Sequence, residues 1–239
     1  MERDRPLERR ASVRTAVVWD ACRARLDGAA DQTVIDIGGG TGGFAVRVAE
    51  LGHRVTVIDP SPDALAALGR RAAERGVADR IVGQQGDLAS LPDLVAAGSA
   101  DLVLCHDVLG LVDDPSEALR TIHGVLRSGG ALSLLVGQLH AAVLARAMAG
   151  HFAEAIRTLD GEIGAERRFS ADEVRLLLVD TGFTLADMHA VRVFADLVPS
   201  TLLDLEPGAV AGLLDLERAV ADRAEYLSLA SAIHTISTA

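Results

Sequence analysis

The sequence predicts an α/β protein built on a doubly wound, mostly parallel sheet. Between residues 33 and 137, short segments rich in valine, isoleucine and leucine alternate with helical segments, as strands and helices do in such sheets. A glycine-rich loop directly follows the first apolar segment, where a parallel strand turns into a helix. The chain has 239 residues, of which 49% are apolar, so it can bury one sizeable core.

The elements of the alternating region follow one another regularly. An amphipathic helix comes first, because apolar residues recur at helical spacing from Val13 to Leu26. Strands are expected at residues 33–37, 54–59, 80–85, 101–106 and 131–137. Helices are expected at residues 44–51, 61–75 and 115–127, with a short helical piece near 89–97. This order predicts a Rossmann-like core.

The rest of the chain departs from this rhythm. Residues 138–168 are alanine-rich and predict a small helical cap. Ser170 with Glu173 three residues later forms a capping-box pattern, which predicts a helix over 170–179. A strand at 185–197, a helix at 207–224 and an antiparallel final strand at 229–239 complete a sheet of about seven strands. We therefore expect four regions: 1–30, 31–137, 138–168 and 169–239.

Composition excludes several function classes. All 23 basic residues are arginine and no asparagine is present, so lysine Schiff-base enzymes and lysine-containing phosphate loops are excluded. A net charge of −11 argues against a broad nucleic-acid surface. Cys22 and Cys105 indicate neither a disulfide framework nor a zinc site, so no metal is expected. The charged start and the absence of a long apolar run predict a cytoplasmic protein without membrane attachment.

The glycine loop carries the most information about a ligand. It satisfies two patterns at once, G-x-G-x-x-G through Gly38, Gly40 and Gly43, and D-x-G-x-G-x-G through Asp36, Gly38, Gly40 and Gly42. A dinucleotide presents a negative pyrophosphate to this loop, which the Asp36 carboxylate would oppose. S-adenosylmethionine instead carries an ammonium and a sulfonium group. Asp36 therefore favours this methyl donor over NAD.

Three further strand ends predict contacts to the same ligand. Asp59 ends the second strand and can accept hydrogen bonds from both ribose hydroxyls, although it could also be a turn or cap residue. Gly86, Asp87 and Leu88 end the third strand, where a carboxylate and a backbone amide suit an adenine. His106 ends the fourth strand, beside the glycine loop. Cys105 is expected to face the core.

These motifs resemble those of class I S-adenosylmethionine-dependent methyltransferases over residues 30–137. The segments that carry the resemblance are VIDIGGGTGG, VTVIDPS, QGDLA, DLVLCHDVLGLVDDP and LRSGGALSLL. Most of the chain is similar to one subgroup, the bacterial tRNA 5-carboxymethoxyuridine methyltransferases, which methylate the carboxylate of a modified uridine. The resemblance implies that S-adenosylmethionine is held by Arg14, Gly38, Gly39, Asp59, Gly86, Asp87 and His106. With Asp36, Gly40, Pro60 and Leu88, these make up the expected set of cofactor-binding residues. Within this set, Arg14 would reach the donor's carboxylate.

The sequence also departs from the subgroup where an RNA would bind. TLDGEIGAERRFS stands where the relatives carry a lysine-rich stretch, Gly110-Leu111 replaces a bulky aromatic residue, and Gln138 replaces an asparagine. These changes remove basic and stacking groups. We therefore expect a small-molecule or nucleoside acceptor, with tRNA as the alternative.

The acceptor chemistry leaves several possibilities open. A carboxylate is already ionised and needs no base, whereas a hydroxyl needs one, for which His106 and His140 are the candidates. Arg146, Arg168 and Arg192 are candidate anchors for an acidic acceptor, although each could be a surface ion-pair residue. Two other functions remain as alternatives, an NAD-dependent oxidoreductase and a non-catalytic module that binds the donor.

Overall fold

The computed structural model describes residues 6–29, 31–161 and 166–239, without the side chains of residues 6–12, 14, 200, 204 and 205. Its described strands are β1 (Thr33–Ile37), β2 (Arg54–Asp59), β3 (Ile81–Gln85), β4 (Ala100–His106), β5 (Leu126–Gly137), β6 (Thr184–Val191) and β7 (Ala232–Thr238). Its described α-helices are α1 (Pro6–Leu26), α2 (Gly43–Glu50), α3 (Pro62–Glu74), α4 (Leu91–Leu94), α5 (Pro115–Val125), α6 (Leu139–Met148), α7 (Phe152–Leu159), α8 (Ala171–Asp180), α9 (Ser200–Leu205) and α10 (Ala209–Ala221).

The seven described strands form one sheet in the order β3-β2-β1-β4-β5-β7-β6. Strands β1 to β5 pair in parallel, and β7 lies antiparallel between β5 and β6. The predicted fold class, a doubly wound Rossmann-like sheet with an antiparallel final strand, is confirmed.

Both faces of the sheet are buried at the central strands β1 and β4 and in the second half of β5, which explains why these segments are mostly apolar, whereas the edge strands β3 and β6 are partly exposed. One face packs against α4, α5 and α8, with Leu91 and Leu119 at its centre. The other packs against α1, α2, α3 and α10, where Cys22, Val48 and Leu68 are fully enclosed. Cys105 lies in the first core, as expected. No helix within the described residues combines the length and the apolar character needed to cross a membrane.

The C-terminal half differs in detail from the sequence-based expectation. The strand expected to reach residue 197 ends at Val191, because Arg192 adopts a left-handed backbone conformation with φ of 59°. The backbone N–H groups of Val193, Phe194 and Ala195 then donate to the buried carboxylate of Glu217 instead of continuing the sheet. Strand β5 starts five residues earlier than expected, and the short helix α9 was not expected.

Candidate active site

A cavity of about 740 Å³ opens at the carboxyl ends of β1 to β4, where ligands lie in open α/β sheets. Its volume falls within the range of small-molecule sites. Seven residues expected to bind the cofactor lie on its wall: Gly38, Asp59, Pro60, Gly86, Asp87, Leu88 and His106. Sequence positions that are nearly 70 residues apart therefore meet around one volume.

The glycine loop has little room for side chains. Gly38 has a left-handed φ of 68°, and a Cβ there would lie 2.5 Å from Cγ2 of Val108. A Cβ on Gly39 would lie 2.5 Å from Oδ2 of Asp36 and 2.9 Å from Cγ1 of Val57. Glycine at these two positions lets the loop lie flat against the strands below it and leaves its outer side to a ligand.

Asp59 fastens this loop to the end of β2. Its Oδ2 accepts a hydrogen bond of 2.9 Å from the backbone N–H of Gly40, and its Oδ1 accepts one of 2.9 Å from the N–H of Ser61. Only 7% of the residue is exposed. A carboxylate oxygen can accept more than one hydrogen bond, so each oxygen keeps capacity for a ligand hydroxyl. The turn interpretation and the ligand interpretation of Asp59 are thus compatible.

Asp36 lies beneath the loop, and it is absent from the residues that line the cavity. It is buried, and its Oδ2 accepts no hydrogen bond from the described residues. Burial, followed by the negative charge of Asp59, raises the pKa of its carboxyl to about 7. The two carboxylates make the floor of the loop a place that favours a cation.

Asp87 stays ionised at the opposite wall of the cavity. Hydrogen bonds from Ser90 lower the pKa of its carboxyl. The side chain is exposed, so it is free to accept a hydrogen bond from an amine at the end of β3.

His106 sits where the cavity meets the interior of the protein. Its Nε2 lies 2.8 Å from Oγ of Ser133, and its ring packs edge-on against Phe44 with centroids 4.8 Å apart. Burial lowers the pKa of the imidazole to about 4, so the ring is neutral at pH 7. A neutral ring carries a lone pair that can accept a hydrogen bond from a ligand.

Two of the three expected anchor arginines act on one group at the cavity wall. Burial raises the pKa of the Asp107 carboxyl; the positive charge of Arg192 opposes this rise, Glu166 adds to it, and Arg168 opposes it. Arg168 pairs with Glu166 at 2.9 Å. The buried Nε of Arg192 makes no hydrogen bond to the described residues and lies 3.8 Å from Oδ2 of Asp196. Arg192 is thus ion-paired with Asp196, and neither it nor Arg168 is among the residues that line the cavity.

Three other candidates lie elsewhere or outside the described part. His140 is exposed in the first turn of α6, 3.2 Å from the side chain of Gln138, and is absent from the cavity wall. Arg146 turns its guanidinium back to the carbonyl of Ala142. The side chain of Arg14 is outside the described residues.

Sequence reasoning missed a group of polar residues behind His106. Cys22, Ser133, His189 and His234 join it in a buried hydrogen-bonded group. The only signal for them was the pairing of strands far apart in sequence, which alternation within a strand does not reveal.

Comparison with known families gives a consistent result. Residues 35–134 match the family described as "Methyltransferase domain". The tRNA 5-carboxymethoxyuridine methyltransferase of Escherichia coli (strain K12) is 30% identical, over 94% of this chain and 87% of the relative. The ubiquinone biosynthesis O-methyltransferase of Xanthomonas axonopodis pv. citri is 35% identical, but over only 53% of this chain and 52% of that protein.

Solved structures support the fold. An S-adenosylmethionine-dependent methyltransferase from Mesorhizobium loti superposes with a TM-score of 0.63 at 20% identity, covering 92% of this chain and 97% of the other. The magnesium protoporphyrin IX methyltransferase from Synechocystis PCC 6803, solved with bound SAH, superposes with a TM-score of 0.60 at 17% identity, covering 96% and 82%.

Proposed function

The chain belongs to the family of S-adenosylmethionine-dependent methyltransferases, and on this premise we propose that the cavity at the ends of β1 to β4 holds the donor and that an oxygen atom accepts the methyl group. When bound, the donor supplies an electrophilic methyl group on a sulfonium. The protein's own contribution is to hold the donor and the acceptor oxygen in line, which supplies most of the catalysis in such a displacement.

The donor fits the residues at the cavity. The floor of the glycine loop carries Asp36 with an oxygen that lacks a hydrogen bond, close enough to Asp59 for the charge of one to raise the pKa of the other. An ammonium or sulfonium group nearby would stabilise these carboxylates, whereas a pyrophosphate would be repelled by them. We therefore assign the loop and Asp36 to the methionine part, Asp59 to the ribose, and Asp87 with Leu88 to the adenine.

One observation carries this assignment. The buried carboxylate of Asp59 both fastens the glycine loop, through Gly40, and lines the cavity. A ligand with two vicinal hydroxyls can donate hydrogen bonds to this carboxylate. Binding then also stiffens the glycine loop, which contacts the other end of the ligand. Ribose has this arrangement of hydroxyls.

We further propose that the acceptor is a small molecule or modified nucleoside bearing an anionic group, in the cytoplasm. Arg192 and Arg168 support the anionic group, because their positive charges act on Asp107 at the cavity wall. Each of these arginines is also ion-paired, Arg168 with Glu166 and Arg192 with Asp196. The free, buried cysteines support a reducing compartment.

A tRNA acceptor is the second candidate. The similarity to the Escherichia coli enzyme over 94% of the chain favours it. The net charge of −11 and the absence of lysine weigh against it, because RNA binding draws on basic groups that neutralise phosphates. The acceptor oxygen in that case would be a carboxylate, which is ionised at pH 7 and needs no base.

Two experiments test the proposal. Calorimetry should show binding of S-adenosylmethionine and of its demethylated product but not of NAD, and binding of NAD alone would refute the donor assignment. Protein incubated with methyl-labelled donor and separate tRNA and small-metabolite fractions should label the metabolite fraction. Label confined to tRNA would establish the second candidate. Donor binding without transfer to either fraction would indicate a non-catalytic module.

A further inference from the structure

A row of side chains crosses the sheet from the cavity to the opposite edge. In the strand register, His106 of β4 pairs with Leu135 of β5, Leu135 with His234 of β7, and His234 with His189 of β6. Directly paired residues project to the same face of a sheet, and so does Ser133, two residues before Leu135. Three histidines and one serine therefore share one face.

The four side chains form a hydrogen-bonded path that ends in an ion-pair contact to Asp222. Ser133 Oγ lies 2.8 Å from Nε2 of His106 and 2.8 Å from Nε2 of His234. His234 Nδ1 lies 3.1 Å from Nδ1 of His189, whose Nε2 is 3.4 Å from Oδ1 of Asp222. The Asp222 side chain is 83% exposed at the end of α10. We call these five residues the histidine relay; it joins the cavity wall to solvent.

The donor and the acceptor of each hydrogen bond in the relay can be assigned step by step, starting from Asp222. Burial lowers the pKa of His106 to about 4 and that of His234 well below its usual value, so both rings are neutral at pH 7, each with one donor and one acceptor. In the form of His189 that carries one ring proton, the carboxylate of Asp222 requires that proton on Nε2. Its Nδ1 must then accept from His234, and Nε2 of His234 must accept from Ser133.

Ser133 then completes the assignment. A hydroxyl donates one hydrogen bond and accepts two, and Ser133 has three partners: His234, His106 and the Sγ of Cys22 at 3.2 Å. Burial raises the pKa of Cys22 to about 12, so it is a thiol that can donate. Because Ser133 donates to His234, it accepts from His106. The proton of His106 is on Nε2, and Nδ1 has none.

Nδ1 is thus the ring nitrogen of His106 that is available to a ligand. It makes no hydrogen bond to another described residue, and His106 lines the cavity. A lone pair here attracts a hydroxyl and repels a carboxylate. A hydroxyl acceptor must also lose a proton as its oxygen is methylated.

We propose that the acceptor is a hydroxyl, that His106 is the base that takes its proton, and that Ser133, His234, His189 and Asp222 are positioning residues that fix the tautomer of His106 and conduct the proton to solvent. The inference rests on the proposed function and names its acceptor atom. The acceptor oxygen bonds to the methyl carbon as the carbon–sulfur bond breaks, and its proton moves to Nδ1. Each relay member then passes one proton onward, and Asp222 releases one to water.

A metal ion is the competing explanation for part of the relay. Ligand atoms of Cys22, His106 and His234 lie within 4.8 Å of one another. Oγ of Ser133 is at hydrogen-bond distance from all three, so each of them has a partner without an ion. The three groups are satisfied by the serine, which favours the relay.

Nuclear magnetic resonance of ¹⁵N-labelled histidine rings tests the relay without donor or acceptor. The chain has 7 histidines, and each His→Gln variant assigns one ring. At pH 8, His106 should be protonated on Nε2 alone. Ser133→Ala should shift the rings of His106 and His234 to mixed tautomers. Asp222→Ala changes an exposed residue and should give mixed tautomers for His189 and His234. His123→Gln is the matched control, because His123 contacts Phe183 away from the relay and its loss should leave the other rings unchanged.

The chemical nature of the product tests the base. A methyl ether survives mild alkali, whereas a methyl ester releases volatile methanol, so alkali-stable label is expected. With that acceptor, Ser133→Ala should lower kcat about 10-fold or more and leave donor affinity within about twofold, since a general base contributes about 100-fold or more.

Three results would overturn the relay: an Nδ1 proton on His106 in the wild type, unchanged rings in Ser133→Ala, or one tightly bound zinc ion that shifts His106 and His234 together. Alkali-labile label would overturn the base while leaving the proposed function intact. Failure of the donor to bind in calorimetry would instead refute the proposed function, and the ring tautomers would still report on the relay.

Discussion

Replacing Asp59 by asparagine should abolish tight donor binding while leaving the chain folded. Both carboxylate oxygens already accept backbone N–H groups, from Gly40 and from Ser61. An amide keeps one acceptor and turns an NH₂ group towards one of these donors. It also loses the charge that would strengthen two ribose hydrogen bonds, each contributing about 1.5–3 kcal/mol. The expected loss is at least about 3 kcal/mol, or more than about 100-fold in Kd.

Calorimetric titration with the demethylated donor product measures this loss directly. Asp63→Asn is the matched control, because Asp63 is an exposed carboxylate in the first turn of α3. The affinity of this variant for the demethylated product should stay within about twofold of that of the wild type. Urea unfolding without ligand separates a binding defect from a folding defect. If Asp59→Asn binds within threefold of the wild type and is as stable, the assignment of Asp59 to the ribose is wrong.

Three further predictions concern the scaffold. Gly39→Ala should destabilise the fold by about 1–3 kcal/mol in urea unfolding, because its Cβ would meet Asp36 and Val57, whereas Gly69→Ala in open space on α3 should be neutral or stabilising. The pKa of Asp36 is about 7 when folded against a reference of 3.8, so ionisation destabilises the fold as pH rises through this window. The free energy of unfolding of Asp36→Asn, relative to that of the wild type, should therefore increase between pH 4 and pH 8, by about 4 kcal/mol at most. A difference that does not change with pH would contradict the buried carboxyl. Glu217→Gln should cost about 1–3 kcal/mol, because an NH₂ group would face a backbone donor of residues 193–195, and an unchanged melting temperature would contradict this.

The cavity at the carboxyl ends of β1 to β4 was predictable because its signal is local. A strand, a glycine loop and an acid at the next strand end lie within 27 residues, and parallel strands bring their carboxyl ends together without further information. Gly38, Asp59, Asp87 and His106 accordingly meet at one cavity. Their roles as donor ligands remain predictions.

The relay was not predictable from the sequence for a corresponding reason. His106 and His234 are 128 positions apart, and their proximity depends on β7 lying between β5 and β6, in a register that no local pattern specifies. The end of β6 at Val191 depended equally on a distant residue, since Glu217 captures the backbone N–H groups that a longer strand would have used. His140 looked suitable by residue type alone, but the first turn of α6 leaves it exposed.

The position of β7 also has a consequence for how the protein is made. Strand β6 pairs only with β7 among the described strands, and β7 is synthesised more than 40 residues later. On the ribosome, β1 to β5 can assemble as the chain emerges, but β6 has no sheet neighbour until residues 232–238 have left the exit tunnel. The donor pocket can therefore mature before His189 and His234 are in place, so nascent chains should acquire donor binding first and a connected His106 last.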